Sequence, residues 1–464
     1  MKVTLIIPHV GRKSVNEYVR TWQMEPLPIA TLAGLTPRDV EMRFFDERIE
    51  DIDFDDPTNL VGINVEAYTA KRAYEIAAEY RKRGVHTILG GYHVMLMPHE
   101  ALQYADSILA GYAEGVWETV LRDAEHGRLK RRYDSIPLSE IEFTLPRRDI
   151  LQSNKYLPIS CVETGRGCPF ACNFCSIAAA THSQFKARPV DLIVQDIKSL
   201  KHKTVFFVDD NIVGNFKHAK TLLRALIPLK IKWMGQGSLN VARDEEMLQL
   251  MADSGCIGIL VGFESLKQES LRLMDKDFMT TIEDTPEFIR RLHAHGLAIY
   301  GTFIFGYETD TPEDFAQTVD FAIKHGIFMG AFNHLMPFPG TPLYRQFERE
   351  GRLISDAWWL EPDYRFNDVP FTPKHVSRED VRRVCLKARR KFYSIPSIIK
   401  RARNVRGNLN SIAKIWGYVF LNSMLRKEIG EKDGLPLGNS NERPTPLQEV
   451  THGDTIPVRI GTGT

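Results

Sequence analysis

Three cysteines stand close together in Cys168-Pro169-Phe170-Ala171-Cys172-Asn173-Phe174-Cys175, preceded by Gly165-Arg166-Gly167. C-x3-C-x2-C spacing lets a single loop turn three thiols toward one centre. Structural zinc usually takes four protein ligands, commonly in two separated pairs. Iron–sulfur clusters take one cysteine thiolate per iron. Three readings are therefore open: cysteines packed in a core turn, a zinc site completed by a distant histidine, and a four-iron cluster with one iron left free. The last leads, because a free iron could hold a small molecule, and it makes Cys168, Cys172 and Cys175 the candidate metal ligands and catalytic residues. A second polar group, Asp209-Asp210-Asn211, follows an apolar run; it could bind a metal or an amine, or cap a helix. Gly90-Gly91 follows another such run, where bare backbone permits close approach of a ligand.

Composition names no partner. The chain has 464 residues, with 60 Lys and Arg against 59 Asp and Glu, and 43% hydrophobic residues. That length suits two or three domains. Six cysteines, half of them in one loop, suggest a reducing compartment and no disulfide framework. Residues 3–7 directly after Met1-Lys2 read as a strand and not as a signal peptide, and no apolar run of about 18 residues is present. A cytoplasmic location is expected.

The elements that would position these residues alternate strand and helix. Residues 3–7, 41–45, 60–65, 86–89 and 105–110 read as strands, with helical stretches at 26–35 and 70–83. This order predicts an α/β domain over residues 1–140 with a doubly wound, Rossmann-like parallel sheet, whose ligands lie beyond the carboxyl ends of the strands. Residues 130–156 have no sustained period, and 141–156 are assigned as a linker. From 157 to 350, six strands (157–162, 204–208, 231–234, 257–261, 298–305, 328–335) alternate with helices, predicting a partial (β/α)6 barrel. Its strand ends carry the cysteine loop, Asp209 to Asn211, Gly235-Gln236-Gly237-Ser238, Gly262-Phe263-Glu264-Ser265, and Gly301 to Glu308. Cys161 and Cys256 lie in strand contexts and read as structural.

The cysteine loop, with Phe174 before its last thiol, resembles that of the radical S-adenosylmethionine (radical SAM) superfamily. The resemblance implies a [4Fe-4S] cluster whose free iron binds the amino and carboxylate groups of SAM. It also implies reductive cleavage of SAM to methionine and a 5′-deoxyadenosyl radical, fed by a partner such as flavodoxin or ferredoxin. Gly262 to Ser265 resembles the family's G-x-E-S segment near the ribose and methionine groups. Gly301 to Gly306 resembles the strand near adenine, and Pro337-Phe338-Pro339-Gly340-Thr341-Pro342 the P-x-P-G-T-P turn. Phe174, Gln236, Ser238, Gly262, Glu264, Ser265 and Ile304 are the SAM-binding residues so implied.

The N-terminal order is similar to the cobalamin-binding domain that precedes many radical SAM barrels. It implies Asn64, Gly90, Gly91, Tyr92 and His93 as cobalamin contacts. There is no D-x-H-x-x-G motif, so no histidine is assigned below the cobalt, and Tyr112 stands where relatives often carry Glu. A domain that has lost the cofactor is the alternative. The resemblance covers roughly residues 1–350 and implies C-methylation of an unactivated carbon in a small-molecule or lipid-like substrate, in a secondary-metabolite, lipid or tetrapyrrole pathway. Two other readings stand beside it: a cobalamin-independent radical SAM enzyme, and a non-catalytic Fe–S or cobalamin sensor, which would not need the strand-end Gln236 and Glu264. No second cysteine triplet precedes the first, against a methylthiotransferase.

Beyond residue 350, an aromatic stretch (Trp358-Trp359-Leu360, Tyr364-Arg365-Phe366) leads into a basic helical region, the whole assigned to 351–430. Residues 378–427 hold 14 Lys and Arg against 2 Asp and Glu, interleaved with apolar residues at helical spacing. They are expected to pack on the barrel with a basic face in water, or to touch an anionic membrane surface peripherally; no nucleic acid partner is expected. Residues 431–464, rich in Gly, Pro, Thr and charge, are expected to form a disordered tail.

Overall fold

The computed structural model describes residues 1–12, 23–152, 155–276, 281–429, 431, 433–447 and the backbone of 455–456. Its first sheet is built from β1 (Lys2–Ile7), β2 (Glu41–Asp46), β3 (Leu60–Asn64), β4 (His86–Gly90) and β5 (Ser107–Ala110). A short strand, β6 (Leu129–Lys130), and β7 (Arg132–Asp134) follow. The sheet order is β2-β1-β3-β4-β5-β7, and every pairing is parallel. The runs expected as strands are these strands, and β1, β3 and β4 are buried on both faces as inner strands of a parallel sheet require. Strand β7 was not expected. Its three residues, Arg-Tyr-Asp, present a single apolar side chain, Tyr133, to the core.

The second sheet contains β8 (Ser160–Val162), and β9 (Gly165–Gly167) and β10 (Phe185–Ala187) form an antiparallel hairpin beside it. It continues with β11 (Thr204–Phe207), β12 (Lys232–Gly237), β13 (Cys256–Glu264), β14 (Ala298–Phe305) and β15 (Met329–His334). These six strands lie in chain order, β8-β11-β12-β13-β14-β15, all parallel. The helices between them close a partial (β/α)6 barrel around one continuous core, from Val162 to Tyr393. The fold is α/β, a Rossmann-like parallel sheet joined to this barrel.

One C-terminal expectation is corrected. Residues 433–447, assigned to a disordered tail, pack back on the first sheet. Leu435 and Leu437 are buried, Gly438 bridges to Gly11, and the Asn439 amide donates to Glu75. The backbone of Thr455–Ile456 (β16) pairs with β6; residues 448–454 and 457–464 lie outside the described residues. The basic region forms helices Arg378–Phe392, Ile395–Ala402, Val405–Asn408 and Ile412–Glu428. The first buries its apolar positions Val381, Cys385 and Phe392, as a packed amphipathic helix should. The last does the reverse: Lys414, Tyr418 and Asn422 face inward, while Ile412, Ile415, Trp416, Val419 and Phe420 face out.

Candidate active site

The cysteine loop is launched by the β9–β10 hairpin. Gly167 sits at φ 82°, where a Cβ would come within 2.2 Å of the Gln184 carbonyl oxygen, so only glycine allows the strands to close here. The loop ends at Cys175, the N-cap of helix Ser176–Thr181, whose carbonyl accepts from the Ala179 amide at 3.1 Å. Between the cysteines, Asn173 fixes the loop to three other segments. Its amide and side chain donate to the carbonyls of Met274 and Leu273, at 3.2 and 2.6 Å. Its carbonyl accepts from Leu343, and its Oδ1 accepts from the Tyr307 hydroxyl.

Cys168 and Cys175 are half-buried and Cys172 is buried. Burial pushes Cys168 up to about 11 and Cys172 up to about 12, and each of these two also feels the charge of a neighbouring thiol. Among the described residues no three His, Cys, Asp or Glu side chains converge on a single ion, an arrangement that a cluster with one thiolate per iron does not need. Three thiols on one pinned loop, with no fourth cysteine beside them, fit a four-iron cluster with one open iron. Cys161, Cys256 and Cys385 are buried elsewhere.

The next strand ends supply the polar groups around this loop. Glu264, at the end of β13, is buried and held at φ 60° after a β-bulge. A non-glycine residue in the left-handed region is strained, and such strain collects at functional sites. Its carboxylate meets Lys276 Nζ at 2.6 Å. Burial works against the Lys276 charge, but Glu264 raises its pKa above the ordinary lysine value. Lys276 Nζ also lies 5.9 Å from the centre of the Phe174 ring, so the Glu264 carboxylate, Lys276 and Phe174 form one assembly beside the thiols. Gly262 makes room for it: a Cβ there would fall 2.2 Å from Glu264 Oε1 and 2.7 Å from Lys276 Nζ. Thr302 on β14 reaches Glu264 Oε2 at 3.5 Å. Ser265 caps the turn, accepting from the Lys267 amide. Ser238 is buried between Asn211 and Asn240. Gln236 and Ile304 are half-buried near the ends of β12 and β14.

The acidic trio divides its work. Asp209 accepts from the Thr164 amide and hydroxyl and ties β8 to β11; burial pushes it up to about 7. Asn211 supports Ser238. Asp210 and Asp209 both line a cavity; Asp210 is pushed up to about 6 by burial and the Glu163 charge. Its charge also raises the pKa of Cys168, Cys175, Tyr92 and Tyr112, which places it between the cysteine loop and the first sheet.

That cavity, of about 500 Å³, opens between the strand ends of the two sheets. On the sheet side it is lined by Asn64, Gly90, Gly91, Tyr92 and Tyr112, and on the barrel side by Glu163, Arg166 and Asp210. It lies where the order of the first sheet reverses, between β1 and β3, the switch point at which doubly wound sheets bind ligands. Gly91 has φ 107°, and a Cβ there would strike the Val65 oxygen at 2.7 Å. A Cβ on Gly90 would meet only the Leu109 oxygen at 4.0 Å and would project into open space. This bare backbone, amid carboxylates that accept hydrogen bonds, fits an amide-rich, flat cofactor such as a corrinoid. Arg166 is clamped by Glu163 at 2.7 Å and Glu114 at 2.8 Å, over the Tyr112 ring.

One expected contact is corrected. His93 does not line the cavity. Its ring is buried behind Gly91 and bonds Glu100 at 3.0 Å, with Tyr74 and Trp359 sharing the same carboxylate. Two residues were missed. Lys276 lies in no recognisable motif. Glu66 lines the cavity.

The radical SAM superfamily model matches residues 162–322. Over 361 residues the chain is 33% identical to bacteriochlorophyllide d C-8(2)-methyltransferase from Chlorobaculum tepidum, covering 72% of this chain and 78% of the relative. The chain belongs to the radical SAM superfamily. It is an enzyme, with a Rossmann-like sheet before the barrel. It is also 30% identical to bacteriochlorophyllide d C-12(1)-methyltransferase from the same organism, over 81% of this chain and 84% of the relative. Among solved structures, the radical SAM methyltransferase TsrM from Kitasatospora setae shares the fold. It superposes with a TM-score of 0.62 at 19% identity, over 75% of this chain and 76% of that one. The cobalamin-dependent enzyme OxsB superposes with a TM-score of 0.64 at 15% identity, covering 92% and 71%.

Proposed function

We propose that this enzyme is a cobalamin-dependent C-methyltransferase acting on a large apolar substrate, with tetrapyrroles the first class to test. The observation that carries the reading is the cavity at the sheet's switch point, separated from the cysteine loop by Asp210. When bound, the cluster would supply one-electron cleavage of SAM, and cobalamin a transferable methyl group.

The chain's own residues would do the positioning. Cys168, Cys172 and Cys175 hold the cluster on a loop that Asn173 keeps from shifting. Glu264 offers a buried carboxylate to the SAM ammonium, exchanging its ion pair with Lys276. Gln236, Ser238, Ser265 and Ile304 line the remaining strand ends. Gly90 and Gly91 let the cofactor lie against backbone, and Asn64 and Tyr92 flank it. Leu5, Leu32, Leu35 and Trp117 give the cavity an apolar wall, which limits water around a reactive species. Substrate class is supported by the two relatives named as bacteriochlorophyllide methyltransferases; a hopanoid C-2 methylase from Rhodopseudomonas palustris, 26% identical, widens the class to polycyclic lipids.

The test is anaerobic purification with iron, sulfide and hydroxocobalamin, reading cluster absorbance, bound corrinoid and reductant-dependent 5′-deoxyadenosine. Cluster, near-stoichiometric corrinoid and 5′-deoxyadenosine together support the proposal. Gly90→Phe fills the cavity without backbone strain; it is expected to keep the cluster and lose at least tenfold in corrinoid. A Cys168→Ala, Cys172→Ala, Cys175→Ala triple is expected to lose the cluster and SAM cleavage and keep the corrinoid. Cluster and 5′-deoxyadenosine with no corrinoid would overturn cobalamin dependence and favour a cobalamin-independent radical enzyme.

A further inference from the structure

The helix Ile412–Glu428 turns an apolar face away from the core it rests on. Its inward face packs Tyr418, Leu421 and Leu425 on the barrel and is tied down by polar groups: Lys414 Nζ donates to the carbonyls of Gly296 and Gly407, Tyr418 to Ile398, and Asn422 to Tyr418. Asn422 also accepts from Arg401, which is fully buried and donates to Ile327 and Phe328. These bonds fix the helix firmly, so its orientation is not a loose docking. Its outward face carries Ile412, Ile415, Trp416, Val419 and Phe420 at spacings of three and four. Trp416 is 72% exposed, Ile412 76% and Phe420 61%. On the adjoining helix Ile395 and Ile399 are also exposed, as is Val405. Monomeric proteins rarely leave such contiguous apolar surface in water.

The charge around this surface selects its occupant. Residues 381–427 contain 13 Lys and Arg and no Asp or Glu. Arg401 and Lys414 are buried, while Lys400, Arg403, Arg406, Arg426 and Lys427 are exposed beside the apolar stripe. A second copy of the chain would bring the same positive charge against it. An anionic lipid surface supplies both what the apolar residues and what the cations need.

We propose that helices Ile395–Ala402 and Ile412–Glu428 form a docking face for an anionic membrane, with Trp416 and Phe420 inserting at the headgroup level. The position of the face gives the docked orientation. Lys414, Arg401 and Asn408 bond the carbonyls of Gly296, Ile327 and Gly326, which precede β14 and β15. The face therefore covers the amino ends of the barrel strands, opposite the cysteine loop. It is a tether, and it leaves the site turned away from the bilayer. The inference stands independently of the reaction proposed above.

The test is flotation of the full chain with vesicles of phosphatidylcholine alone or mixed with phosphatidylglycerol. Binding to the anionic vesicles is expected to exceed that to neutral ones by at least tenfold and to fall with added salt. Trp416→Glu with Phe420→Glu is expected to abolish it, and Lys400→Glu, Arg403→Glu, Arg406→Glu to remove the anionic preference. Both sets lie on the surface, and unchanged circular dichroism will confirm the fold. Fluorescence of the wild type should shift to the blue on vesicle addition, and that of Trp416→Phe should not. No binding to anionic vesicles at low salt, or binding that survives the Glu substitutions, overturns the proposal. So does self-association that Trp416→Glu with Phe420→Glu abolishes while vesicle binding is absent.

Discussion

Glu264 and Lys276 are the residue pair on which the site's electrostatics turn. Removing one partner of a buried pair leaves an uncompensated charge and typically costs about 3–5 kcal/mol. Lys276→Met should therefore lower stability on that order, and adding Glu264→Gln should restore most of it; urea unfolding of both variants measures the difference. Gly262→Ala presses on both charged groups at once and should reduce reductive SAM cleavage while the cluster spectrum persists. A different residue sets an acid response. Burial, aided by Arg389 and Arg382, depresses His334 to about 4. The unfolded chain takes up that proton near pH 6.5 and the native protein does not, so stability falls as pH drops from about 6.5 to 4. The loss is about 1.4 kcal/mol per pH unit at most. In His334→Gln this contribution vanishes, and the stability gap between variant and wild type must shift in the variant's favour across that window. The cysteines were legible in the sequence because one loop must carry all three. Lys276 was not, since it meets Glu264 only through the turn after β13, and no short pattern records that meeting.

At the scale of elements, the alternation of apolar runs and helical stretches is what made both sheets readable. A parallel strand buried on both faces is apolar throughout and stands out against its surroundings. The β9–β10 hairpin was invisible for the opposite reason: Gly-Arg-Gly and Phe-Lys-Ala carry no strand pattern, and their pairing follows from the loop they hold. Its consequence can be measured. Gly167→Ala places a methyl group against the Gln184 carbonyl at positive φ and should cost more than about 1 kcal/mol. Iron incorporation should fall with it, read as cluster absorbance per protein. His93 was assigned to the cavity from the resemblance to cobalamin-binding domains, but one residue further along the helix Tyr92–Leu96 points to the other side. Helix Ile412–Glu428 left two readings open, because sequence periodicity gives the existence of an apolar stripe and not the direction it faces.

For the whole molecule, the first sheet and the barrel are not separable layers. Trp358, Trp359, Leu360 and Tyr364 lie in the core of the first sheet, packed against Tyr74 and its neighbours, together with Leu437. The Trp359 indole donates to Glu100, which also bonds His93 and Tyr74. Truncation after residue 432 removes Leu435 and Leu437, whose burial is worth about 1.5–3 kcal/mol each, and breaks the Arg382–Asp433 pair. Thermal unfolding should shift down accordingly, and a Leu435→Ala, Leu437→Ala variant should reproduce most of the shift. The tail's Gly, Pro and charge hid this role, since two leucines in a polar stretch do not look like a core.

The aromatic strap has a consequence for how such a protein could be rearranged by recombination. A segment encoded after the barrel completes the hydrophobic interior of a sheet encoded before it, so the N-terminal unit is no interchangeable part. A gene fragment ending near residue 150 would make a sheet with one face bare, and a chimera that grafts it onto another barrel must carry residues 357–366 and 435–437 as well.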